Sequence, residues 1–123
     1  MGWIAKGKYT APPAWAAALA PGMNLLWHFH PAGKSAYGCY YGGSAHIHTN
    51  TNEPTDELRM VILHEYGHHK APAYGSGSWH GPKFWRTVRR LYAENGLLEY
   101  AKTHERYATG RRYLAEAEEV AAT

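Results

Sequence analysis

The segment His64-Glu65-Tyr66-Gly67-His68 sets two imidazoles four residues apart with a carboxylate between them. On an α-helix, four residues turn through about 400° and rise about 6 Å, so both imidazoles project from one face at a separation that a single metal ion can bridge. Glu65 stands about 100° from His64, near enough to reach a metal-bound water without being a ligand. This H-E-x-x-H pattern on a helix is the sequence signature of a zinc site whose glutamate serves as general base. A catalytic zinc takes three protein ligands and keeps a fourth position open. His69 lies about 140° round the helix from His64 and points elsewhere. His80, twelve residues after His68 and beyond a glycine-rich connector, can fold back to the metal. Glu94 or Glu99 would give the carboxylate version of the site. His80 is favoured, because it stands immediately before a helix able to pack by its apolar stripe.

The elements that must hold these residues are legible in the surrounding pattern. Thr55 caps a helix whose first turn carries Asp56 and Glu57 at the positive dipole end. Leu58, Val61, Ile62 and Glu65 follow at helical spacing, and the helix is expected to run to about His69. Tyr74-Gly-Ser-Gly-Ser is a connector. Pro82 then opens a helix with Phe84, Trp85, Val88, Leu91 and Tyr92 on one stripe, closed by Asn95-Gly96. Two more helices are expected over 97–107 and 111–120. Upstream, residues 1–10 are a loose start, and Pro12-Pro13 can open a short helix over 14–20 that Pro21-Gly22 stops. Leu25, Trp27 and Phe29 alternate with Leu26, His28 and His30, which is the period of a strand. A turn at 31–35, the run Tyr37-Gly-Cys39-Tyr40-Tyr41, the turn Gly42-Gly43 and the segment 44–49 predict three strands in an antiparallel meander.

The composition bounds the rest. A chain of 123 residues suits one domain, 1–123, and 45% hydrophobic against 19% charged residues excludes a disordered tail. Ten Tyr and five Trp against two Phe suit a shallow core with an aromatic-lined cleft. Cys39 is the single cysteine, which excludes an internal disulfide and a multi-cysteine zinc ribbon within the sequence. No run approaches the roughly 18 apolar residues of a membrane span. A cytoplasmic or virion-associated protein with no membrane partner is therefore expected. Net charge is +3. Lys83, Arg86, Arg89 and Arg90 are expected to form a solvated helix face that could weakly contact nucleic-acid phosphates.

Several residues carry a bland reading beside a sharp one. His28, His30, His46 and His48 share faces at i and i+2, and a solvated polar face is expected in preference to a second metal site. Cys39 is read as a packed strand residue before an inhibitory thiolate. Tyr66, Tyr74 or one of these histidines could assist an oxyanion. Trp79 is equally a prop for the site or part of a cleft.

The runs LRMVILHEYGHH and SWHGPKFW together resemble the SprT-like metallopeptidases, which include the Spartan proteases. In that family the active helix carries HExxH, and a following HGxxF/W segment supplies the third histidine, here His80-Gly81-Pro82-Lys83-Phe84. The resemblance covers residues 12–95 and implies an α+β minimal zincin: a short N-terminal helix, the three-stranded meander, the active-site helix and further C-terminal helices. It implies a zinc endopeptidase acting on a protein or peptide substrate, with His64, His68 and His80 as metal ligands and Glu65 as general base. It also implies that an extended peptide docks along strand 45–49 at the sheet edge. Many members continue into a cysteine-rich zinc ribbon or another DNA-binding region, which this sequence lacks. The readings from other classes are a zinc-stabilised binding or assembly module that no longer cleaves, and a regulator-cleaving peptidase with a glutamate ligand. Intact Glu65 favours an enzyme, and the HGPxF context of His80 favours the histidine-ligated family.

Overall fold

A computed structural model describes residues 9–33, 35–72 and 80–122, with the backbone alone for 116–122. The loose start at 1–8 and the connector at 74–78 lie outside the described residues. The chain forms an α+β fold of helix α1 (Ala14–Leu19), strands β1 (Asn24–Phe29), β2 (Tyr37–Tyr41) and β3 (Ser44–Thr49), and helices α2 (Asp56–Lys70), α3 (Pro82–Glu94), α4 (Leu98–His104) and α5 (Ala108–Ala122).

The sheet departs from the expected meander. Its order is β1-β3-β2, with β3 in the centre. β1 runs parallel to β3, with Leu26 opposite His46 and His28 opposite His48. β2 runs antiparallel to β3, with Tyr40 opposite Ala45. Local chemistry explains half of this. Gly42 and Gly43 both take positive φ, 61° and 87°, as a tight two-residue hairpin requires, and so lock β2 to β3. No such turn joins β1 to β2. The chain after β1 is instead tied to the end of β3, because His30 donates its N–H to Thr49 O at 2.7 Å and Asn50 Nδ2 donates to Gly33 O at 2.9 Å. Burial supplies the other half: Ala45 and Ile47 are fully buried, while β2 is half-buried to exposed. The strand 45–49 is therefore not a sheet edge. Among the described residues β2 is the edge, and β1 is flanked by one bridge between Thr10 and Trp27.

Helix α2 starts where Thr55 accepts a hydrogen bond from Leu58 N at 3.1 Å, with Asp56 and Glu57 in its first turn. It packs between the sheet and α3, so Leu58, Ile62, Leu63 and Tyr66 are all buried. The α2–α3 approach is close at Gly67. A Cβ there would fall 2.2 Å from Val88 Cγ1 and 3.1 Å from Phe84 Cε1, so only glycine admits this crossing. Phe84, Trp85, Val88 and Tyr92 form the buried stripe of α3, and Leu97 and Leu114 complete the core from the C-terminal half.

The C-terminal helices also differ from expectation. The helix expected over 97–107 ends at His104, and the next begins at Ala108 instead of 111. Glu105 turns inward, only 4% exposed, and its carboxylate accepts the Tyr107 N–H at 3.2 Å. Arg111 Nη1 donates to Glu105 O at 2.7 Å. These bonds replace the helical ladder at 105–107 and aim that segment at α2.

Candidate metal centre

His64, Glu65 and His68 share the C-terminal half of α2, and His80 stands one residue ahead of Gly81, the N-cap of α3. The close helix crossing at Gly67 brings the two elements together. One nitrogen from each of His64, His68 and His80 lies within 4.8 Å of the others, a group that could hold a metal ion. The Nε2 atoms of His64 and His80 are 3.2 Å apart. Two nitrogens at about 2.0–2.1 Å from a tetrahedral ion sit about 3.4 Å apart, so this spacing needs little adjustment. Three imidazoles with no thiolate or carboxylate among them leave one position open, as a catalytic site requires and a closed structural site does not.

The surroundings fix the rings. Phe84 backs all three, with ring centroids 4.9, 4.4 and 4.8 Å from His64, His68 and His80. That apolar packing is what makes the set ready to bind. Burial, then the neighbouring imidazoles, push His64 down to about 3 and His68 to about 4. Burial also lowers His80. All three are neutral near pH 7 and offer lone pairs.

Glu65 is 5% exposed. Burial pushes its carboxyl up to about 7, with the charge of Arg106 pulling the other way. A base poised near neutrality is what proton transfer at the site would use. Glu65 and His64 open onto a cleft of about 330 Å³ whose walls include Tyr37 and Gly38 of β2 and Arg106 and Tyr107. The Tyr107 ring lies 4.7 Å from His80 and 6.4 Å from His64. Nothing in the sequence periodicity marks Arg106 and Tyr107, because 97–107 reads as one helix. They reach the site through the inward turn of Glu105.

The other candidates lie apart. His69 bonds through Nδ1 with the Tyr40 hydroxyl at 2.8 Å. Glu94 sits 4.0 Å from Arg90, and Glu99 accepts from Lys102 at 3.0 Å, both exposed. Tyr66 donates its hydroxyl to Pro21 O at 2.7 Å and is committed to the core. Cys39 is a half-buried free thiol, raised by burial and then by the charge of Glu65. Tyr74 and Trp79 lie outside the described residues. Lys83, Arg86 and Arg90 are exposed on α3, whereas Arg89 is half-buried with Nε donating to Leu114 O at 3.3 Å. Arg89 therefore leaves the expected basic face. Among the described residues, no helix is long and apolar enough to cross a membrane.

Comparison with protein-family models, with curated proteins and with solved structures finds no match for this chain.

Proposed function

We propose that this protein is a zinc-dependent endopeptidase of the SprT-like kind, a minimal zincin with His64, His68 and His80 as ligands. The observation that carries the reading is the convergence of three imidazoles next to a buried carboxylate on the same helix, with His64 and Glu65 opening onto a cleft. Zinc bound there would supply Lewis acidity, lowering the pKa of water to about 7 and polarising the scissile carbonyl. Glu65 takes a proton from the attacking water and returns it to the leaving amine. Its nearness to His64 along α2 gives that carboxylate the required reach, and its burial matches its basicity to the task. Tyr107, whose ring lies 4.7 Å from that of His80 on the cleft wall, would serve the developing oxyanion as a hydroxyl donor. An extended substrate pairs with β2, the edge strand that lines the cleft, and not with β3, whose two sides are occupied by β1 and β2.

The test combines metal analysis of protein purified without added zinc with cleavage of unfolded casein, with and without chelator. One zinc per chain and chelator-sensitive cleavage are expected. A metal-loaded protein that cleaves nothing across a broad panel of unfolded proteins would overturn the peptidase reading.

A further inference from the structure

The far face of the sheet carries a second histidine cluster that the proposed function does not use. His28 on β1, and His46 and His48 on β3, alternate with the core residues Trp27 and Ile47, so strand geometry turns them away from α2, and His30 follows in the residue after β1. The parallel register sets Leu26 opposite His46 and His28 opposite His48, which brings the four imidazoles into one patch. They were expected to be solvated, yet His28, His46 and His48 are buried, at 0%, 8% and 1% exposure. His30 is exposed.

The rings form two nitrogen-to-nitrogen pairs. His30 Nε2 lies 2.8 Å from His48 Nδ1, and His28 Nε2 lies 3.0 Å from His46 Nδ1. His64 and His80 also meet nitrogen to nitrogen, at 3.2 Å, with their rings inclined at 65° where those of His30 and His48 are coplanar within 2°. A pair of neutral imidazoles at this distance shares one proton, and a metal ion can take the place of that proton. The His30 and His48 rings are coplanar within 2°, so their bond is head-on. For a metal to be held at about 2.0–2.1 Å per bond with the nitrogens about 3–3.4 Å apart, the exposed His30 ring must tilt off that line. His48 is held flat between His28, at 4.3 Å and 9°, and Tyr37, at 4.6 Å and 1°. A ring fixed in that way is a pre-oriented donor. His30 gives the pair its access to solvent.

We infer that His30 Nε2 and His48 Nδ1 form a second, solvent-reachable site for a divalent transition-metal ion on the face of the sheet opposite α2. Among the described residues, no third histidine, cysteine or carboxylate completes a three-ligand group there. Water fills the remaining positions, and the ion exchanges readily. Imidazole with water suits Cu²⁺ and Ni²⁺ best, and the general order of divalent affinities puts Cu²⁺ first. Burial, then the neighbouring imidazoles, hold His48 down at about 4, so the ring is neutral near pH 7. The inference rests on these residues alone and is independent of the proposed function.

The test is equilibrium dialysis against Cu²⁺ in a buffer with a weak competing chelator, followed by metal analysis and electron paramagnetic resonance. Wild type is expected to bind one more equivalent than His30→Ala, with a nitrogen-coupled Cu²⁺ signal lost in the variant. Because His30 is exposed, that variant keeps its circular dichroism. The same one-equivalent difference is expected in a His68→Ala background, which separates it from the helix site. Equal Cu²⁺ content in wild type and His30→Ala would overturn the inference.

Discussion

The Nε2 atoms of His64 and His80 lie 3.2 Å apart although sixteen residues separate them in the chain. Such a contact between two half-buried imidazoles is built by the crossing of α2 and α3, and it is what turns a two-histidine helix face into a three-nitrogen group. Removing His80 should therefore cost more in metal affinity than the about 10–100-fold typical of losing an outer partner. His69→Ala should cost nothing, since His69 bonds with Tyr40. Competition with a chromogenic chelator measures both, and equal retention by His80→Ala and wild type would contradict the ligand set.

Gly67 makes the crossing possible. An added Cβ would meet Val88 Cγ1 at 2.2 Å, so Gly67→Ala forces the helices apart. Overpacking of this kind costs about 1–3 kcal/mol. Chemical denaturation should show that loss, together with weaker metal binding because His80 moves with α3. An unchanged midpoint and unchanged metal affinity would refute the claim that the close crossing positions the site.

Acid should destabilise the metal-free protein. In the folded chain His48 titrates at about 4, His64 at about 3 and His68 at about 4, all below the ordinary 6.5. As pH falls below about 6.5 the unfolded chain takes up protons that these three folded-state rings refuse, so stability present above 6.5 is lost progressively towards 4. The one proton that Glu65, raised to about 7, takes up early offsets only part of that loss. Thermal melts of apo protein between about pH 7.5 and pH 4.5 should show a falling Tm. A Tm that stays level over that range would contradict the neutral, buried state of these rings.

Helix α2 was legible because its information is local: Thr55, the acidic first turn and the spacing of Leu58, Ile62, His64 and His68 all act within one element. His80 was legible for the same reason, standing beside the proline that opens α3. Strand order was not. Period two tells which residues share a face of β1 and β3, yet it does not tell which strand lies between the others. That is decided by the long connection after β1 and by the burial of Ala45 and Ile47, both tertiary facts. The break at 105–107 was hidden likewise, because its residues are compatible with helix until Glu105 finds partners in Tyr107 N and Arg111. The imidazole face of the sheet was readable as a face, and its burial was not.

Tyr107 is a cleft residue that the structure brings beside His80 and that the sequence pattern does not mark. With its ring 4.7 Å from His80, its hydroxyl is proposed to serve the oxyanion. Tyr107→Phe should lower kcat by about 10²-fold, the typical cost of one such donor, with metal content and KM nearly unchanged. Steady-state kinetics on a fluorogenic peptide would measure it. A loss confined to KM would make Tyr107 a substrate contact instead.

Glu65→Gln tests the central claim most directly, with zinc content and peptide cleavage measured on the same preparation. Glutamine keeps the shape and cannot accept the proton. One zinc per chain with cleavage reduced about 10²–10⁴-fold is the expected result. Undiminished cleavage by the zinc-loaded variant would contradict the account.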